Sequence, residues 1–336
     1  MKVKLLFIGG INMCTAITYH TQDHYFGRNL DLELSYGQQI TITPRNFNFP
    51  FRKIKDISSH YAIIGMAAVR DNYPLYFDAT NEKGLAMAGL NFEGNAHFFP
   101  ENPDKLNISP FEFIQYILGQ CATIDETKTL LNEINLVNID FSAELPLAPL
   151  HWLIADRECS IVVESVKDGL KVYDNPVGVL TNNPTFDIQL FSLNNYRFVS
   201  PVATGNRFSN KIELDEYSRG MGTLGLPGDL TSNSRFIKAT FTKLNTLPGQ
   251  GEEDSVSQFF HILKSVEQQK GLCNVGDDKF EYTIYSSCCN VDKGIYYYTT
   301  YNNSQVTSVN MHHTDLDSDE LFIFPVIDEQ QVNMLN

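Results

Sequence analysis

Basic residues are scarce in this 336-residue chain, which has 25 Lys and Arg against 40 Asp and Glu and a formal net charge of −15. That balance argues against nucleic acid or an anionic membrane surface as a partner. Long hydrophobic runs are missing as well, so no segment reads as a membrane span. No Pro/Ser/Gly tract, charge block or internal repeat marks a linker, and one domain is expected over residues 14–336. Cysteine is sparse. The six, Cys14, Cys121, Cys159, Cys273, Cys288 and Cys289, show neither CxxC nor metal spacing, and their density is low for a disulfide framework. Free thiols in a reducing bacterial cytoplasm are the simplest account. The eight histidines form no metal pattern, and the glycine-rich stretch from Arg219 to Gly228 lacks the lysine of a phosphate loop. No metal and no cofactor are expected.

What the chain does have is a Met13-Cys14 step followed by alternating small and β-branched residues, Thr15-Ala16-Ile17-Thr18-Tyr19, which reads as a strand starting at the thiol. Loss of everything through Met13 would leave Cys14 with a thiol and a free α-amine on one carbon. Such an amine has a reference pKa of about 7.7 to 8.0 and accepts a proton near neutrality without a histidine. Thiol and amine would then be nucleophile and base in one residue. The preceding Lys2-Val3-Lys4 and Leu5 to Ile11 imitate a secretory signal, but the apolar run is short and no A-x-A-like site precedes Cys14. Residues 1–13 are therefore expected to be a removed leader or an upstream start codon that is not used, with export less favoured.

After a turn at Thr21 to His24, Tyr25 to Asp31 should return as a partner strand, bringing Arg28 and Asp31 towards Cys14. Strands are also read at 40–43 and 61–66, and Leu75–Ala79 and Leu85–Leu90 flank a hairpin turn at Asn81 to Gly84. Asn91 then ends a strand. Ser109-Pro110-Phe111-Glu112 and Thr123-Ile124-Asp125-Glu126 are start signals for two packed helices. Short strands follow between Leu150 and Thr181. Helices are expected at 187–199, 232–244 and 255–269, and three aromatic, β-branched strands between Phe280 and Val309. The pattern is sheet, helices, sheet, helices, sheet: an α+β chain. Bland readings stand beside the chemical one. Arg28 and Asp31 could be an ion pair holding a hairpin, Asn91 and Asn182 turn formers, and His151 a core residue or the base of a conventional Cys-His pair.

Taken in order, Cys14-Thr15, Phe26-Gly27-Arg28-Asn29-Leu30-Asp31, Gly89-Leu90-Asn91-Phe92, Leu180-Thr181-Asn182-Asn183-Pro184 and Leu226 to Phe236 resemble the choloylglycine hydrolase family, and its bile salt hydrolase branch most. The resemblance implies the four-layer αββα sandwich of N-terminal nucleophile hydrolases. It also implies hydrolysis of a conjugated bile acid, releasing glycine or taurine, in a homotetramer. By the same resemblance Asp31 orients the Cys14 amine, Arg28 lowers the thiol pKa, and Arg235 is a second arginine near the thiol. The Asn91 backbone N–H and the Asn182 side chain would form the oxyanion hole. Leu30, Ala67, Ile139, Phe141 and Leu145 are the implied substrate-binding walls. The alternatives are a penicillin V acylase-type amidase and a non-catalytic protein of the same fold that binds bile salts.

Overall fold

Residues that alternate between small, β-branched and aromatic types build most of this chain, and they pair into two large antiparallel sheets. The structure is a computed structural model and describes residues 13–336; the expected leader, apart from Met13, lies outside the described residues. Strands β1 (Cys14–His20) and β2 (His24–Leu32) form the first hairpin. Strands β3 (Gln39–Thr43), β4 (Ile63–Arg70), β5 (Tyr73–Asn81) and β6 (Ala86–Asn91) follow, then β7 (Leu106–Ile108), α1 (Phe113–Gln120), α2 (Ile124–Leu131) and β8 (Ile134–Leu136). The second half has β9 (Leu150–Ala155), β10 (Ser160–Val166), β11 (Gly169–Asp174), β12 (Val179–Leu180) and α3 (Phe186–Ser192). It continues with α4 (Ser232–Asn245), α5 (Glu252–Lys264), β13 (Cys273–Gly276), β14 (Lys279–Asn290), β15 (Ile295–Thr300), β16 (Thr307–Asn310) and β17 (Phe322–Pro325).

The first sheet runs β12-β1-β2-β14-β15-β16, with β13 on β14, and the second runs β11-β10-β9-β6-β5-β4-β3-β17. One apolar cluster fills the space between the sheets and extends to α4 and α5, through Ile17, Leu90, Phe236 and Phe259 among others. A second joins the outer face of the eight-stranded sheet to α1 and α2, through Met87, Trp152, Phe113 and Ile124. The order is therefore helices, sheet, sheet, helices, the αββα sandwich.

Local chemistry accounts for these elements. The Glu112 carboxylate accepts the Ser109 N–H at 2.8 Å, and the Thr123 hydroxyl accepts the Glu126 N–H at 3.2 Å, so both start signals are used. Gly84 closes the β5–β6 hairpin with φ +96°, where only glycine is unstrained. A Cβ at Gly27 would lie 2.0 Å from the Ser287 carbonyl oxygen, so glycine lets β2 and β14 meet.

Three readings need correction. The helix expected at 187–199 stops at Ser192 and tightens into a 3₁₀ turn over Leu193–Tyr196, because Phe191 and Phe198 face solvent and supply no buried stripe. Helix α5 ends at Lys264, not near Gln269: the Gln268 N–H donates to Thr283 Oγ1 at 2.9 Å and its carbonyl accepts the Thr283 N–H, drawing the chain onto β14. Strands β7, β8, β13 and β17 were not expected, being too short to show alternation.

Candidate active site

The register of the first hairpin sets the centre. Cys14 pairs with Leu30 and Ala16 with Arg28, so the thiol-bearing residue lies beside the stretch carrying Arg28 and Asp31. All three are buried. The Arg28 guanidinium donates to the carbonyls of Phe77, at 3.0 Å, and Gly89, and so crosses from one sheet to the other. Asp31 Oδ1 accepts from Thr283 Oγ1 at 2.6 Å. The Asp31 backbone N–H acts to lower the thiol pKa.

Asn182 and Arg235 hold the main chain of Cys14 from the other side. The Cys14 nitrogen donates to Asn182 Oδ1 at 2.8 Å, and Asn182 Nδ2 donates to the Asn91 carbonyl at 2.8 Å. An amide NH₂ carries two protons, so one remains for a further acceptor. Arg235 sits in the first turn of α4, which Thr231 caps by accepting the Ser234 N–H. Its guanidinium donates to the Cys14 carbonyl at 2.5 Å, Thr15 Oγ1 at 2.7 Å, Asn182 Oδ1 at 2.7 Å and the Leu230 carbonyl at 3.0 Å. One planar cation thereby fixes the carbonyl of Cys14 and the acceptor of its nitrogen together.

Electrostatics at the thiol are opposed. Burial pushes the Cys14 thiol up, the Arg28 charge pulls it down, and the charge of Asp31 raises it again. Burial also pushes the Asp31 carboxyl up to about 6 against the pull of Arg235, Thr283 and Arg28. In the chain as it stands, Cys14 N is an amide nitrogen and has no basicity.

The thiol opens onto a largely apolar cavity between the sheet ends and the 141–150 segment. Cys14, Arg28, Leu30, Asn91, Phe141 and Leu145 line it, whereas Asp31, Asn182 and Arg235 do not. Two expected walls are elsewhere. Ala67 packs in the cluster under α1, since successive side chains of β4 alternate faces, and its neighbour Ala68 lines the cavity instead. Ile139 does not reach the cavity; its carbonyl accepts from Ser109 Oγ at 2.5 Å. Sequence reasoning missed Tyr36, Arg70 and Phe77 as lining residues.

His151 is not a partner of the thiol. One ring nitrogen lies 3.1 Å from a Glu164 carboxylate oxygen and the other donates to the Thr181 carbonyl at 2.8 Å, while the ring stacks on Phe92. Among the described residues, no set of His, Cys, Asp and Glu gathers to hold a metal, and no helix is long and apolar enough to cross a membrane.

Comparison with known proteins gives the family. The profile of the linear amide C–N hydrolases, choloylglycine hydrolase family, matches residues 14–324. A bile salt hydrolase/transferase of Lactiplantibacillus plantarum is 60% identical over 324 residues, covering 96% of this chain and all of the relative. The crystal structure of a conjugated bile acid hydrolase variant from Clostridium perfringens superposes with a TM-score of 0.89 at 36% identity, over 96% of this chain and all of that one. A penicillin V acylase from Agrobacterium tumefaciens shares the fold, with a TM-score of 0.72 at 20% identity over 92% of this chain and 90% of that one. With the family profile matched from Cys14 almost to the end of the chain and a 60% identical relative covered in full, this chain belongs to the choloylglycine hydrolase family.

Proposed function

We propose that the protein hydrolyses the amide joining a bile acid to glycine or taurine, through a thioester on Cys14, once removal of residues 1–13 has freed the Cys14 α-amine. The observation that carries this reading is the Cys14 nitrogen, held by Asn182 beside a thiol that opens onto an apolar cavity. The family profile starting at Cys14 and the name of the 60% identical relative support it.

The amine takes the thiol proton, and the thiolate attacks the amide carbon. The second N–H of Asn182 Nδ2 and the Asn91 backbone receive the oxyanion. Collapse breaks the C–N bond, and the ammonium passes its proton to the departing glycine or taurine nitrogen. Water, deprotonated by the same amine, then hydrolyses the thioester, releasing the bile acid and restoring the thiol. Arg28 favours the thiolate throughout, and Asp31 and Arg235 fix the nitrogen and carbonyl of Cys14. Leu30, Phe141 and Leu145 would bury the steroid at about 25 cal/mol per Å² of apolar area, which offsets the repulsion between an anionic substrate and a chain of charge −15. The exposed Phe191, Phe198, Phe208 and Tyr217 suit burial against further copies in a tetramer.

Intact mass of the purified protein, paired with product release from glycocholate, taurocholate and penicillin V, tests the reading. Turnover of the bile salts by a chain beginning at Cys14, lost in Cys14→Ser, is the expected result. Activity with Met13 still attached, faster release of phenoxyacetate than of glycine or taurine, or tight binding without turnover would overturn it.

A further inference from the structure

The main chain at Cys14 is approached from a second direction by a carboxylate that the chemistry above leaves unused. Glu281, on β14, is fully buried, and its Oε1 accepts a hydrogen bond from the Met13 N–H. Its Oε2 has no partner among the described residues, and neither do Asp31 Oδ2 or the two polar ends of the Gln268 side chain. These groups are neighbours. Thr283 Oγ1 donates to Asp31 and accepts the Gln268 N–H, and Glu281 stands on the same strand two residues away. None of them lines the cavity at the thiol, so they form a polar cluster set apart from it. Buried polar atoms without partners are rare in native interiors and call for an occupant.

Covalent geometry says what that occupant can be. The nitrogens of consecutive residues are three bonds apart, at most about 3.7 Å. Glu281 Oε1, which accepts the hydrogen bond of the Met13 N–H, therefore lies one contact beyond a span that starts at the Cys14 nitrogen. When Met13 leaves, the span is empty, about the width of one water. An ammonium has three donors, and Asn182 Oδ1 takes one.

We propose that Glu281 is a positioning residue for the Cys14 α-amine: after Met13 departs, its carboxylate receives the new amino terminus, directly or through one water, alongside Asn182. This rests on the amine being the base, as argued above. The charged and titratable groups facing Glu281 are Asp31 and Glu33 from β2 and its end, Arg235 from α4, Cys273 from β13 and Cys14 from β1. Glu267, beyond α5, faces Asp31 in turn. Arg235 is the one cation in that set, so a new ammonium would relieve a site that is otherwise crowded with acids.

A carboxylate beside the amine holds on to its proton, so neutralising that carboxylate should make the base available at lower pH. The test compares wild type, Glu281→Gln and Glu281→Asp, each shown by intact mass to begin at Cys14, in kcat and KM for glycocholate across pH. The rising limb of kcat/KM in Glu281→Gln should move down by about one pH unit, with KM within about twofold of wild type. Aspartate keeps the charge but draws it back by one methylene, so its limb should lie between the other two. Where Glu281→Gln does not fold, that partial shift carries the test. A limb that overlays wild type, or an equal fall at every pH together with a lower Tm, overturns the proposal and leaves Glu281 as a structural acid. Activity in a chain that retains Met13 would instead overturn the amine mechanism, and this proposal with it.

Discussion

Cys14 and Asn182 are joined across 168 residues of chain by one hydrogen bond, from the Cys14 nitrogen to Asn182 Oδ1 at 2.8 Å. The same oxygen takes Arg235, and the same side chain reaches Asn91, so one amide ties nitrogen, arginine and the end of β6 together. Asn182→Ala should therefore lower kcat/KM by about 10²- to 10³-fold, the usual effect of losing an oxyanion donor, with KM nearly unchanged. Steady-state kinetics on glycocholate check it, and a fall of less than about tenfold would count against a direct role.

Arg28 is a fully buried cation beside the thiol, and its charge pulls the Cys14 pKa down against burial. In Arg28→Gln that pull is gone, so the thiol pKa rises, and each unit of rise costs about tenfold in thiolate at a pH below it. Iodoacetamide alkylation of Cys14 at neutral pH should slow accordingly. An unchanged alkylation rate would remove Arg28 from this role.

Ala67 and Ala68 are neighbours on β4 with opposite surroundings, Ala67 under α1 and Ala68 on the cavity wall. Ala67→Val is expected to cost about 1 to 3 kcal/mol of stability by overpacking, with KM unchanged. Ala68→Val should leave Tm nearly as it is and raise KM for the bulky substrate. Denaturation and kinetics on both variants give a crossed pattern, and the reverse assignment would place the cavity on the wrong face.

Burial pushes the Glu281 carboxyl up to about 8 in the chain that carries Met13. A raised acid favours folding while it is protonated, so its contribution is complete below its ordinary value of 4.5 and is lost as pH rises to about 8. In that form, Tm of wild type should fall relative to Glu281→Gln across this window. Parallel Tm curves for the two proteins would contradict the shift.

Much of the centre was legible because its residues sit in short motifs whose order survives in one dimension: Cys14, Arg28, Asp31, Asn91, Asn182 and Arg235 all lie in stretches read from the sequence. Alternation along β1 and β2 and the capping signals before α1 and α2 gave the elements. Pleat direction was not legible, and Ala67 was chosen where Ala68 faces the cavity. Glu281 was missed because its partners come from β1, β2, β13 and α4, although an acid inside an otherwise buried strand was itself a signal. Strand β17 escaped notice since four residues beyond a loop carry no periodicity.

That last strand has its own consequence. Phe322–Pro325 pairs with β3, which pairs with β4, the strand bearing Ala68 and Arg70 of the cavity wall. Shortening the chain before Phe322 would bare a ladder of unsatisfied amides and carbonyls on β3, an adhesive rim that invites self-association. The tail thus acts as a selvedge, keeping the weave beside the substrate cleft from fraying into its neighbours.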